Sequence, residues 1–264
     1  MKSIFNRSLS RAGLVMLFST GVILLLTAAQ RKEARLTQIV RDVKVSAPHL
    51  GARPAHLNDN VTDGSAVHTG ADSRAELTFA DLTITRVGAN SIFSFDQDGR
   101  NVNLESGAIL LRVPKDSGGA RIRSSALTVS ITGTTVMFES HPRNYSKLIV
   151  LEGSSEAWLT KHPGKKITVH AGRMLIVKPG AMHLPDPVDI DESLVLRTAS
   201  LITEFPPLPS LDLMRGVAAD QKRSGGPLFN PLADLTGMGA RDVNASTRPP
   251  PTPHRTPGDG QRKP

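Results

Sequence analysis

The chain has no cysteine among its 264 residues. That excludes disulfide staples, thiolate-bound zinc, thiol catalysis and a lipidated N-terminal cysteine. Aromatic residues make up only 4%, with one tryptophan and one tyrosine, too few for a surface that stacks successive bases or sugar rings. An excess of positive charge is also missing where it would matter. The net charge of +8 invites a nucleic-acid partner, yet residues 36–204 carry eighteen basic and eighteen acidic side chains. Residues 1–35 carry six Lys/Arg against one acid, and residues 205–264 carry eight against five. A duplex-binding domain holds its cations on the folded body. Here that body is neutral, so nucleic acid is excluded as a partner.

The usual catalytic apparatus is lacking too. There is no Gly-x-Ser-x-Gly elbow, phosphate-cradling loop or dinucleotide fingerprint. The eight histidines (His49, His56, His68, His141, His162, His170, His183 and His254) form no His-x-His or His-x-x-x-His pair. A metal site needs several ligands held by local structure, so neither metal nor cofactor is expected. The carboxylate pairs Asp96/Asp98 and Asp186/Asp189 fall in polar, turn-like segments and read as solvated acids rather than a glycosidase pair. No catalytic residue is assigned, and no binding residue is singled out.

What is present begins with an uncharged run, AGLVMLFSTGVILLLTAA, at residues 12–29, flanked by Arg11 and Arg31. It is long enough to span a bilayer as one hydrophobic helix. It also fits a secretory signal, with Lys2, Arg7 and Arg11 as the positive region and Thr27-Ala28-Ala29 as the cleavage candidate. Cleaved signal and retained membrane anchor both stay open. Either places the rest of the chain outside the cytoplasm, in the periplasm or cell envelope.

From residue 35 to about 182, short β-prone segments alternate apolar and polar residues and are separated by Gly, Asn and Asp. Ala75–Phe79, Leu82–Val87, Ile92–Phe95, Leu127–Ile131, Lys147–Leu151, Ile167–His170 and Met174–Val177 are the clearest. Period two with turn signals every 8–12 residues predicts an all-β domain. Gly88, Gly107, Gly133, Gly153 and Gly172 recur at steps of about 20 residues, which suits a β-solenoid-like winding or a two-layer β domain with evenly spaced turns. Beyond it, Asp189 to Phe205 reads as a helix with Asp189, Asp191 and Glu192 in its first turn. Pro206, Pro207 and Pro209 end it, and a shorter helix is predicted at Ser210–Gln221. Residues 222–264, ending RPPPTPHRTPGDGQRKP, are expected to be a disordered, Pro-rich basic tail. The organisation is thus residues 1–34 signal or anchor, 35–182 β domain, 183–221 helical segment and 222–264 tail.

The β region carries an ordered set of motifs: Val67-x-Thr69-Gly70, Ala75-Glu76-Leu77-Thr78-Phe79, Arg86-Val87-Gly88-x-Asn90-Ser91, Leu104-Glu105-Ser106-Gly107, Gly133-Thr134-Thr135 and Leu151-Glu152-Gly153. Over residues 55–180 this resembles the periplasmic domain of the FecR family. The resemblance implies an exported, non-catalytic β domain that signals through protein–protein contact. In that family the domain reads an outer-membrane transporter and controls a sigma factor held by an N-terminal cytoplasmic helical domain. Only eleven residues precede the apolar run here, so the anti-sigma activity is not expected to carry over. Gly70, Gly107, Gly133 and Gly153 are expected at sharp turns, often with positive φ, and Asp81 in a hairpin turn bonding its own backbone.

The expected partner is another envelope protein, met by strand addition at exposed β segments, with Val102–Val113 and Lys147–Leu159 as candidate strands. The alternative is a structural protein that touches cell-wall polymer through Arg248, Arg255, Arg262 and Lys263 of the tail. The Pro-x-x-Pro sequences at Pro206–Pro209 and Pro250–Pro253 read as spacers.

Overall fold

A computed structural model describes residues 33–96, 99–226 and 228–232. The apolar run at 12–29 and the tail beyond Leu232 lie outside the described residues. The first strands are β1 (Ala34–Val40), β2 (Val43–Ser46), β3 (Arg53–Pro54), β4 (Asn60–Val61), β5 (Ala66–Thr69) and β6 (Arg74–Phe79). Then come β7 (Ile84–Val87), β8 (Ile92–Phe95), β9 (Asn101–Arg112), β10 (Ala120–Arg123), β11 (Leu127–Ile131) and β12 (Thr135–His141). The last are β13 (Tyr145–Glu152), β14 (Ser154–Leu159), β15 (His162–His170), β16 (Arg173–Val177) and β17 (Val188–Asp189).

These strands make two layers. One sheet runs β4-β1-β6-β7-β9-β12-β13-β16-β17. The other runs β3-β2-β5-β8-β9-β10-β11-β14-β15. Among these seventeen strands every pairing is antiparallel except β9 with β10, so the two-layer alternative is realised and a stack of parallel coils is not. Between the layers lies the main core, with Leu36, Leu77, Phe93, Leu104, Phe138 and Leu148 all fully buried. Each such side chain contributes about 1.5–3 kcal/mol by leaving water.

The evenly spaced glycines mark the points where the chain changes layer. Gly70 joins β5 to β6, Gly88 joins β7 to β8, and Gly133, Gly153 and Gly172 make the later crossings. Gly107 does the same inside β9. Residues before it pair with β8, and those after it pair with β7 and β12. At Gly107 φ is +93°, and a Cβ there would stand 2.5 Å from Ser91 Cα, so only glycine fits. Gly70 departs from expectation: its φ is not positive, and Asp72 (φ 50°) supplies the left-handed residue of that turn. Asp81 behaves as expected, its Oδ1 accepting from the Thr83 N–H at 3.0 Å in the β6–β7 turn.

Three helices follow: α1 (Glu192–Thr198), α2 (Ser200–Thr203) and α3 (Leu211–Ser224). The single helix expected over Asp189–Phe205 is therefore two short ones, starting three residues later. Asp189 pairs in β17, and the Ile190 N–H donates to the Gly172 carbonyl. Those sheet bonds outcompete a first helical turn. Asp191 becomes the N-cap instead, its Oδ1 accepting from the Leu194 N–H at 2.9 Å. The boundary expected at residue 222 also shifts. α3 runs to Ser224 and stops at left-handed Gly225, and Phe229 bridges back to Ile190. Composition averages over a segment, whereas Phe229 and Leu232 have an apolar surface to pack on.

Gly107→Ala is expected to lower stability by roughly 2–4 kcal/mol through strain and collision with Ser91. Gly180→Ala, also at positive φ (77°) but with open space around it, should cost about 1–2 kcal/mol. Urea unfolding of both variants checks the order.

Candidate protein-interaction surfaces

The outer face of the β7–β13–β16 side is apolar, carrying Leu110, Met137, Ile149, Leu151 and Met174. The continuous run Leu148–Leu151 in β13 reflects burial on both faces, since Leu148 and Val150 belong to the inner core and Ile149 and Leu151 to the outer one. The helices cover this face with Val195, Leu201, Ile202, Phe205, Leu208 and Met214. This cap is held by polar ties as well as by packing.

The strongest tie is Arg86, which is 1% exposed. Its Nε donates to Glu76 Oε2 at 2.8 Å from the facing position on β6. Its Nη1 donates to the Leu201 carbonyl at 2.9 Å, its Nη2 to the Pro206 carbonyl, and its guanidinium lies 4.8 Å from the Phe205 ring centre. Burial pulls the Arg86 pKa below its ordinary value while Glu76 opposes the fall. Three further ties repeat the arrangement. Lys147, 2% exposed, bonds Glu139 at 2.8 Å and donates to the Pro231 carbonyl. The Thr135 hydroxyl meets Ser210 at 2.8 Å, and Gln221 donates to the Gly172 carbonyl at 2.9 Å. Pro206–Pro209 is thus part of the fixed cap rather than a spacer.

Glu192 opens α1 fully buried, and neither carboxylate oxygen has a hydrogen-bond partner among the described residues. Desolvation raises its pKa to about 9, so the group is a neutral acid at neutral pH.

Between α1–α2 and α3 the cap leaves a groove of about 540 Å³. Leu196, Ile202, Phe205, Leu208 and Ala218 line it, and Arg197, Arg215 and Lys222 stand along it with no acidic residue among the lining. Arg215 pairs with Asp212 at 3.0 Å. Arg197 and Lys222 are exposed and form no ion pair among the described residues.

The strands expected to receive a partner are not free. Val102–Val113 lies within and just beyond β9, which is paired on both sides in each layer. Lys147–Leu159 falls in β13 and β14, each flanked by two strands. The continuous apolar run of β13 already fits burial on both faces, whereas pairing of β9 on both sides is a non-local fact that alternation over Val102–Leu104 does not carry. The long free edge among the described residues is β15, paired only with β14 and exposed along most of its length. Its Pro163, Lys165 and Lys166 are the residue types that discourage uncontrolled edge pairing. Near its start, Lys161, His162, Lys165, Lys178 and His183 line two clefts with no acid among the lining.

The remaining expectations place simply. Among the described residues no group of three or more His, Asp or Glu could hold a metal. Asp96 bonds the Asn101 backbone in a turn, and Asp189 pairs with Arg173 at 3.0 Å. Trp158 sits on the open sheet with Lys166 and Arg121 over its ring. No helix among the described residues is long and apolar enough to cross a membrane.

Two outcomes are expected. Arg86→Met leaves Glu76 buried without its cation and two carbonyls without donors, a loss of about 3–5 kcal/mol. Hydrogen exchange should then rise first in α1–α3. For Glu192 the folded pKa lies above the unfolded value, so its stabilising contribution is complete below about 4.5 and falls away as pH rises towards 9. Glu192→Gln should therefore match the parent near pH 4 and exceed it near pH 8 in urea melts. Parallel pH profiles would refute this.

No curated protein matches the sequence. A crystal structure of a "putative anti-sigma factor" from Parabacteroides distasonis ATCC 8503 is similar at 15% identity and a TM-score of 0.43, over 57% of this chain and 74% of that one. A second crystal structure under the same description gives 14% and 0.44, over 51% of this chain and 64% of the other. The cap and β15 lie outside the stretch that matches a family. Residues 65–156, from just before β5 into β14, match the family model described as FecR protein.

Proposed function

We propose that this chain is a non-catalytic protein of the cell envelope whose FecR-type β domain binds another protein, with β15 as the strand that receives it. The observation that carries the reading is the free edge. β15 meets β14 at His162 and over Ile167–His170, with Pro163–Lys166 bulged between, and it pairs with no other strand among the described residues, which leaves an edge of the kind that strand addition uses. The family match supports protein contact as the kind of function. The apolar run at 12–29 between basic flanks supports export. Lys165 and Lys166 make the edge cationic, so the incoming strand carries acidic side chains, and Glu156 beside Lys166 (3.2 Å) limits how many.

Crosslinking in intact cells, with a photoreactive residue at Lys165, tests this. A defined protein adduct is expected, and Lys165→Glu with Lys166→Glu should abolish it without changing the melting temperature, because both side chains are exposed. Retention on isolated cell wall with no adduct, lost on deleting residues 233–264, would favour polymer binding through the basic tail instead.

A further inference from the structure

We propose that the groove between α1–α2 and α3 is a second docking site, and that its occupant is an acidic amphipathic helix of a partner protein. The inference rests on the reading of the chain as a protein-binding module, though on none of the β15 geometry.

Three observations point to that occupant. The groove's volume of about 540 Å³ falls in the range of sites that bury a few apolar anchors. Leu196 comes from α1 and Leu211 and Ala218 from α3, with Ile202 and Phe205 between them in the lining, so an inserted ridge meets apolar surface from both helices. This is the helix-in-groove mode, read by anchors at i, i+3 or i+4 and i+7. The rim then sets the charge. Arg197 and Lys222 come from the last turns of α1 and α3, where each also complements its helix dipole. The dipole explains each cation separately and does not explain why both converge with Arg215 on a groove lined by no acid.

Charge argues against an occupant from this chain. Residues 233–264 carry five Lys/Arg against three Asp, and the apolar run at 12–29 is bounded by Arg11 and Arg31. Either would bring cations to cations. A flat lipid surface is disfavoured by shape. The apolar side chains Ile202, Phe205 and Leu208 are buried at the groove floor, while Arg197, Arg215 and Lys222 are exposed, so a bilayer would meet the cations without reaching the floor.

The test uses the full-length chain and two fluorescent amphipathic helical peptides with the same leucine stripe, one flanked by glutamates and one by lysines. The glutamate peptide is expected to bind, and the lysine peptide is not. Arg197→Glu with Lys222→Glu should raise the dissociation constant by about tenfold or more, and added salt should weaken binding progressively. Ala219→Trp, at an exposed residue of the lining, blocks the groove without changing charge and should also abolish binding. Equal affinity for both peptides, indifference to Ala219→Trp, or displacement by phosphatidylglycerol vesicles that bind in the peptide's place would overturn the proposal. The Lys165→Glu, Lys166→Glu variant should bind the glutamate peptide normally. Loss of groove binding with an intact β15 adduct would therefore sink this site alone, and the reverse result would sink only strand addition.

Discussion

A guanidinium that keeps its charge even when buried sets the terms on which the C-terminal segment joins the β domain. Arg86 sits on the outer face of a sheet otherwise lined by Leu110, Ile149 and Met174. Left in an apolar interface with only Glu76 for company, it would retain unsatisfied donors at a cost of several kcal/mol. The chain answers with two backbone carbonyls, Leu201 and Pro206, at places where the local backbone has left them without helical partners. The α2–Pro206 turn is therefore not a free end folded back by hydrophobicity alone. It is positioned by hydrogen-bond geometry, and that position fixes the spacing between α2 and α3 and with it the groove.

The same logic of charge and burial runs through the rest of the cap. Lys147 repeats the Arg86 arrangement on β13, with Glu139 as its anion and Pro231 as its carbonyl. Glu192 lacks such partners and keeps its proton instead. One interface thus holds two solutions to buried ionisable groups, pairing and neutralisation. The neutralised acid makes the cap sensitive to pH between about 4.5 and 9, because it gives up its proton on unfolding.

The layered fold and the candidate surfaces were unequally legible. Strand alternation around Leu77, Phe93 and Val129 identified the β domain, and the glycine steps located its corners, because a corner at positive φ excludes most other residues. The motif set pointed to the family that the match over residues 65–156 bears out. The unbroken apolar run Leu148–Leu151 fits a strand buried on both faces and Pro163, Lys165 and Lys166 fit an edge, but which strand pairs with which on the second side is a non-local fact. The groove was equally hidden. Phe205 falls at the end of the predicted helix, Leu208 in its proline stop and Lys222 in the expected tail, so nothing local joins them to Arg197.

The sequence by itself determined what is local: that the body is β, where it turns, that the charge belongs to the ends, and that no cysteine or catalytic motif is available. A period, a glycine or an apolar run constrains the backbone within a few residues, and those constraints survive whatever surrounds them. The tertiary structure alone decided that Arg86 is buried, that β15 is free, and that three cations of the helical segment gather around one apolar groove. Each of these depends on residues tens to more than a hundred positions apart meeting across a packed interface, which no local pattern encodes.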